Sequence, residues 1–197
     1  MNISKIVILV CIVILASCSG TQNKSESFID QEISINDSEK AFLSSLAGLC
    51  GQSFLGKQIY SKDGRDSWAG KKLVMHVTVC EEDKVFIPFH VDENKSRTWM
   101  FLVEDGKLRF RHDHRHEDGT PEDLTLYGGF SDGKGSDLVQ CFPWDEYTES
   151  ILTDGNKRQW NVSLNEDLST FTYELYVNEE LVFAAEFDLT KPITAEL

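Results

Sequence analysis

The chain has 197 residues, 41% of them hydrophobic and 11% aromatic, enough for one domain with a real core. Its 33 acidic residues outnumber 19 Lys and Arg, giving a formal charge of −14. That balance repels a phosphate backbone and excludes nucleic acid as a natural partner.

The chain opens "MNISKIVILVCIVILASC". Lys5 precedes an unbroken apolar run from Ile6 to Ala16, too short for a comfortable membrane span but suited to a secretory signal. The run ends in Leu15-Ala16-Ser17-Cys18, which resembles the bacterial lipobox. The resemblance implies a lipoprotein signal peptide over residues 1–17, cleavage before Cys18, and palmitate-type acylation of Cys18. Several acyl chains anchor a protein stably where one is marginal. The membrane is then a partner through the lipid anchor, and the location is the bacterial cell envelope. Ser19 in place of Asp points to the outer membrane. Residues 18–37 are polar without sustained periodicity and read as a flexible tether. Residues 38–197 remain as a single β-barrel-like domain.

"NDSEKAFLSSLAGLCG" reads as a helix. Asn36 caps it with Glu39 completing a capping box, Leu43, Leu46, Ala47 and Cys50 share a face, and Gly51 stands where the helix should end. Ten short segments rich in β-branched and aromatic residues follow, from "FLGKQIYS" to "ELVFAAEFDL", separated by turn signals. Pro143 opens one short helix with Trp144, Tyr147 and Ile151 on one side. The expected fold is mainly β: an antiparallel, lipocalin-like barrel of about ten strands with an N-terminal helix and one short helix. A two-sheet β-sandwich is the alternative. The Gly-x-Trp signature of lipocalins is missing near the first strand.

Cys50, Cys80 and Cys141 remain after the signal and the lipidation site are set aside. An oxidising compartment favours one disulfide. Cys50 and Cys80 both fall at element ends and are the expected pair, with Cys141 buried and free; a Cys141 link to either is the alternative.

The most unusual stretch is "RFRHDHRHEDG", Arg109–Gly119, with His112, His114 and His116 at alternate positions. Asp105-Gly106 is a strong two-residue hairpin turn that sets a register. It opposes Glu104 to Lys107, Val103 to Leu108, Phe101 to Phe110, Trp99 to His112 and Arg97 to His114. Opposed residues share a side of the sheet. The inward side therefore starts apolar at the turn and ends in Arg97, His112, His114 and His116, beside Trp99. Leu102, Met100, Arg109, Arg111, Asp113 and Arg115 take the other side.

Three readings of this row compete. Arg97, Trp99, His112, His114 and His116 can line a pocket for a small ligand. His114 and His116, with a group from another strand, can hold a divalent transition metal, although residues two apart on a strand are about 7 Å apart. Or His112 is a core histidine satisfied by its neighbours. His76 and His90 sit on adjacent strands and read as structural. A tight turn at Glu82-Asp83 sends them to opposite faces, and a slip of one residue brings them together. "HEDGTPEDL" and "FSDGKGSD" lack the calcium-loop pattern and read as solvated turns.

The segments "GKKLVMHV", "SRTW", "HDHRHEDG", "LYGG" and "EFDLT" resemble, in this order, an uncharacterised family of small secreted bacterial proteins and lipoproteins, over roughly Leu46–Thr190. No activity comes with the resemblance. It supports the Cys50 and Cys80 pairing, leaves Cys141 as a departure, and moves Arg97 and the three histidines toward function. No GxSxG, HExxH, P-loop or dinucleotide fingerprint occurs. As an enzyme the chain would use His114 as general base, with Asp113 facing away from it. The expected function is a non-enzymatic, ligand-binding envelope lipoprotein. A metal-binding protein or metal-dependent hydrolase, and a structural or partner-binding lipoprotein, are the alternatives.

Replacing Cys18 with Ala should abolish metabolic labelling by a clickable palmitate analogue and block signal removal. Undiminished labelling of the variant would reject the lipid anchor.

Overall fold

The computed structural model describes residues 35–63 and 68–194. The expected signal peptide, Cys18 and the expected tether as far as residue 34 therefore lie outside the described residues. The described residues form one compact unit. Ile35, assigned above to the tether, is buried in its core. Helix α1 spans Asp37–Ala47, and its Asn36 cap and Glu39 form the expected capping box: Asn36 Oδ1 accepts from the Glu39 amide at 2.9 Å, and Glu39 Oε2 accepts from the Asn36 amide at 3.2 Å. It ends earlier than expected, at the Gly48 cap, so Cys50 and Gly51 belong to the turn that follows.

Among the described residues eleven strands follow: β1 (Ser53–Ser61), β2 (Leu73–His76), β3 (Val79–Glu81), β4 (Lys84–Val91), β5 (Asn94–Glu104), β6 (Lys107–His114), β7 (Tyr127–Phe130), β8 (Val139–Pro143), β9 (Arg158–Leu164), β10 (Thr170–Val177) and β11 (Glu180–Asp188). All pairings are antiparallel. They form one sheet in the order β7-β6-β5-β4-β2-β1-β11-β10-β9-β8, with β3 paired to β4. One sheet excludes the sandwich. The arrangement is a nearly closed barrel, consistent with the lipocalin-like expectation.

The eleventh strand comes from a break in "KKLVMHVTVC". β3 pairs with β4 as Val79↔Phe86, whereas β2 pairs as Met75↔Phe89, one residue out of step. The slip occurs at Val77-Thr78, where Val77 leaves the ladder to exchange hydrogen bonds with Gly51 and Gln52. It turns His76 to the same side as His90, the outcome the turn alone left open.

Alternation builds the core. Val85, Ile87, Phe89 and Val91 of β4, Trp99 and Phe101 of β5, and Leu108 and Phe110 of β6 all point inward and are buried. Facing them are Trp160 and Val162 of β9, Phe171 of β10 and Phe187 of β11. Helix α1 plugs one end of the barrel. It packs on β3, β4 and β8, with Phe42 edge-on to Phe101 at 5.9 Å. Burying a Phe or Leu completely is worth roughly 1.5–3 kcal/mol each, so this plug anchors the apolar end.

The seam between β7 and β8 is closed without a ladder. Gly129 makes it possible, because a Cβ there would meet the Pro143 carbonyl oxygen at 1.7 Å. Helix α2 (Glu146–Ile151) then staples the seam. Thr148 Oγ1 accepts from the Gly128 amide at 2.8 Å and donates to the Gly128 carbonyl at 2.7 Å. Pro143 does not open this helix: it ends β8, and Asp145 is the cap, accepting from the Thr148 amide. The buried residue of α2 is Thr148, while Tyr147 is exposed. "LTLYGG" is likewise shorter as a strand, because Leu126 adopts a positive φ of 57° and Leu124 stays exposed.

Cys50 and Cys80 form the disulfide, with Cα atoms 6.1 Å apart, and Cys141 is free and half-buried. The bridge ties the turn after α1 to β3, a sequence separation of 30 residues. Loop-closure entropy for a loop of that size is about 3–4 kcal/mol. A Cys50→Ser/Cys80→Ser double variant should lose stability of that order in urea unfolding. An unchanged midpoint would contradict the anchoring role of the bridge.

Candidate functional site

The Asp105-Gly106 turn has both residues at positive φ (51° and 70°), the geometry that matches strand twist. The resulting register is the one read from sequence, including Phe101↔Phe110, Trp99↔His112 and Arg97↔His114. Trp99 and His112 are almost fully buried, at 2% and 4% exposure. The inward row does run from apolar to polar, away from the end that α1 plugs.

At the far end lies a cleft of about 500 Å³. Arg97 and Trp99 of β5, His112 and His114 of β6, and Tyr127 of β7 line one side. Phe89, Tyr173, Leu175, Phe183 and the loop residue Trp68 line the rest. Four of the five residues proposed from sequence therefore converge. The fifth, His116, does not. β6 ends at His114, and the chain turns so that the His116 amide bonds the Thr120 carbonyl at 2.9 Å, leaving His116 exposed. The structure therefore does not bring His114 and His116 together in the cleft. Among the described residues, no three His, Cys, Asp or Glu are grouped to hold a metal ion.

The walls are aromatic. Trp99 stacks with Phe89 (4.6 Å, 8°) and with Tyr173 (4.8 Å, 11°), and His112 stacks on Tyr127 (4.5 Å, 15°). Such pairs add rigidity as well as area. Sequence reading missed Tyr127 and Tyr173; each lies on a strand far from the histidine hairpin, and only the sheet order brings them in. The alternation of "TFTYELYV" could have flagged Tyr173 as inward. Tyr127, inside "LYGG", carried no such signal.

The tyrosines define the histidine protons. His112 Nδ1 is 3.3 Å from the Tyr127 carbonyl oxygen, which can only accept, so Nδ1 carries the hydrogen. Its Nε2 is then bare and accepts from the Tyr173 hydroxyl at 3.0 Å. His114 Nε2 is 3.0 Å from the Tyr127 hydroxyl, and its Nδ1 stands 3.7 Å from Glu122 Oε2, beyond hydrogen-bond distance.

Burial, assisted by His114, pushes the His112 imidazole down to about 3. Burial and then Arg97 lower His114, against the opposing pull of Glu122 and Asp113. Burial raises Tyr127 to about 12. His112 is therefore neutral near pH 7, and Tyr127 is a poor proton donor and no phenolate. Arg97 is the permanent charge among the described lining residues. Its guanidinium lies 5.5 Å above the Trp68 ring and donates to Asn94 Oδ1 at 2.7 Å.

A second polar chain lies outside this cleft. Ser53 Oγ is 2.7 Å from His76 Nδ1, and His76 Nε2 is 3.0 Å from His90 Nδ1, with all three residues buried. Burial lowers both histidines, His90 to about 4. Both His76 nitrogens are consumed, so the chain ties β1, β2 and β4 together. On the outer face of β6, Arg111 is buried instead of solvated. Asp145 takes it at 2.6 Å, also takes Arg109 at 2.9 Å, and Tyr147 covers it.

Fold and site together define a β-barrel with an aromatic, arginine-bearing end cleft. No family model, curated protein or solved structure matches the chain. Among the described residues, no helix is long and apolar enough to cross a membrane.

The buried histidines set a pH dependence. Free imidazole titrates near 6.5, while the native values for His112 and His90 are about 3 and about 4. Between those limits the unfolded chain takes up protons that the native barrel refuses, so stability is full above about pH 6.5 and falls as pH drops. The urea midpoint should be lower at about pH 4.5 than at about pH 7. His112→Gln should shrink that difference. An equal difference in both proteins would remove His112 from the account.

Proposed function

We propose that this is a lipid-anchored protein of the bacterial cell envelope that binds a small organic ligand in the end cleft of its barrel. The anchor is the acylated Cys18, and the side of the envelope is the outer membrane, as the Ser19 reading favours. The observation that carries the binding reading is the cleft itself. Arg97, Trp99, His112 and His114, chosen for their place in an inward row, surround a space of about 500 Å³. That volume lies within the usual range for small-molecule sites, as does a mainly aromatic lining with few polar groups.

Catalysis has less support. The lining histidines are held as neutral, hydrogen-bonded partners of tyrosines, and the buried Tyr127 hydroxyl is driven away from ionisation. The groups suit fixed recognition better than proton transfer.

Anilinonaphthalene sulfonate, a flat apolar anion, should bind the purified full-length protein at one site with enhanced fluorescence. Leu175→Trp, which fills the cleft, should weaken that binding about tenfold or more, as expected for loss of most of a pocket's contact. Binding that is absent, or unchanged in the filled variant, would overturn the cleft as a ligand site.

A further inference from the structure

Arg97 and His114 are direct register partners across the β5–β6 hairpin, and both side chains line the cleft. Residues opposed in this way hold their Cβ atoms about 4.5–5.5 Å apart. Two groups able to carry positive charge therefore stand side by side at the polar end. A guanidinium has five N–H donors, and Asn94 takes one of them at 2.7 Å. Among the described residues Arg97 has no carboxylate in ion-pair contact, and no carboxylate lines the cleft. The net charge of −14 opposes an anion at long range. At physiological salt, however, screening acts within about 8 Å, so the contacts inside the cleft decide.

His114 sits where the charge of such an anion is felt. Arg97 faces it from β5, and His112 precedes it on the same side of β6. Glu122, from the loop before β7, stands 3.7 Å from its Nδ1. Asp113, its chain neighbour, is shared with Arg115 at 2.8 Å. The Tyr127 hydroxyl of β7 is 3.0 Å from its Nε2 and lies in the fields of Arg97 and Arg158, and Tyr173 of β10 lines the same cleft. Burial first, and Arg97 second, hold the His114 imidazole below its ordinary 6.5, against Glu122 and Asp113. An anion paired with Arg97 cancels the second of these causes and adds its own attraction, so it moves His114 toward protonation.

Building on the binding function proposed above, we infer that the cleft binds an aromatic organic acid in its ionised form, seated on the cross-strand pair Arg97 and His114, and that its capture draws a proton from solvent onto His114. The acid group pairs with Arg97. The apolar body lies among Trp68, Phe89 and Phe183. Linkage is reciprocal, so a ligand that promotes protonation of its site binds more tightly where protons are plentiful. Affinity therefore rises as pH falls through the value His114 has with ligand bound, and levels off below the value it has without ligand. A cationic ligand is repelled by Arg97. A neutral ligand leaves the Arg97 charge without a partner in a partly dried site and moves no proton.

The test is isothermal calorimetry on the full-length protein with a naphthalene carboxylate, its methyl ester and a naphthylmethylammonium, in two buffers of different ionisation enthalpy. Measurements at about pH 7.5 and about pH 5.5 keep the carboxylate ionised, since carboxyl groups titrate near about 4. The carboxylate should bind about tenfold or more tightly than the ester or the ammonium, the scale of a charge-assisted hydrogen bond. Its affinity should rise about threefold or more between the higher and the lower pH, while that of the ester stays level. The difference in heat between the buffers should report net proton uptake with the carboxylate. Arg97→Gln should erase the preference for carboxylate over ester, and His114→Gln should abolish the proton uptake and flatten the pH dependence. Thermal melts of both variants report that the barrel is intact. Equal binding of carboxylate and ester, or a carboxylate preference that survives Arg97→Gln, overturns the anion assignment. Absence of proton uptake by the native protein, or uptake that survives His114→Gln, overturns the coupling to His114. If anilinonaphthalene sulfonate binds and the panel shows no preference for the carboxylate, this inference fails while the cleft stands. If neither the probe nor the panel binds, the ligand-binding function fails with it.

Discussion

The pairing of β5 with β6 is the constraint on which the rest depends. Side chains alternate along a strand, so one residue of slip would send every inward group of this hairpin outward. The positive φ values at Asp105 and Gly106 hold the register, and with it the sides taken by Trp99, His112, Arg97 and His114. The same register orders the core. Phe101 and Phe110, 4.8 Å apart, join Phe42 and Phe142 at the plugged end. One hairpin therefore sets both the packed base and the polar end, and the gradient between them is written along two strands.

Neutral imidazoles are what make the polar end tolerable. A charged histidine in place of His112 would have to be desolvated beside Arg97 and His114, and burial wins against the backbone acceptor that favours charge. With the imidazole neutral, each ring nitrogen has one role, and each finds a partner of the opposite role. The result is a network in which tyrosine hydroxyls and histidine nitrogens satisfy one another, leaving Arg97 as the strong donor. Satisfied buried networks fix a single geometry. That suits a preformed site more than a mobile one.

The outer face solves a different problem. A barrel seam without a ladder leaves backbone groups to be satisfied by other means. Thr148 does this for both polar groups of Gly128, and Asp145 caps α2 while holding Arg109 and Arg111. Asp145 thus links the short helix to the outer side of β6, the strand whose inner side carries His112 and His114. Arg109 also bonds Glu104 across the hairpin. The outward arginines of "RFRHDHRHEDG" are in this way part of the closure, while its inward histidines belong to the cleft.

The sequence by itself determined what local chemistry controls. The capping box of α1, the two-residue turn at Asp105-Gly106, the alternation along β4, β5 and β6, and the inward placement of Arg97, Trp99, His112 and His114 all follow from neighbours a few residues apart. The Cys50–Cys80 pair was legible from compartment and position. Tertiary structure decided what depends on distant partners. The slip at Val77-Thr78 arises because Gly51 and Gln52 compete for the Val77 backbone, and that competition brings His76 onto His90. His116 leaves the row because its strand runs out of partners at β7, whose pairing with β6 stops at His112↔Tyr127. Arg111 is buried because a seam helix folds over it. Tyr127 and Tyr173 reach the histidines through the order of strands around the barrel, and no spacing along the chain encodes that order.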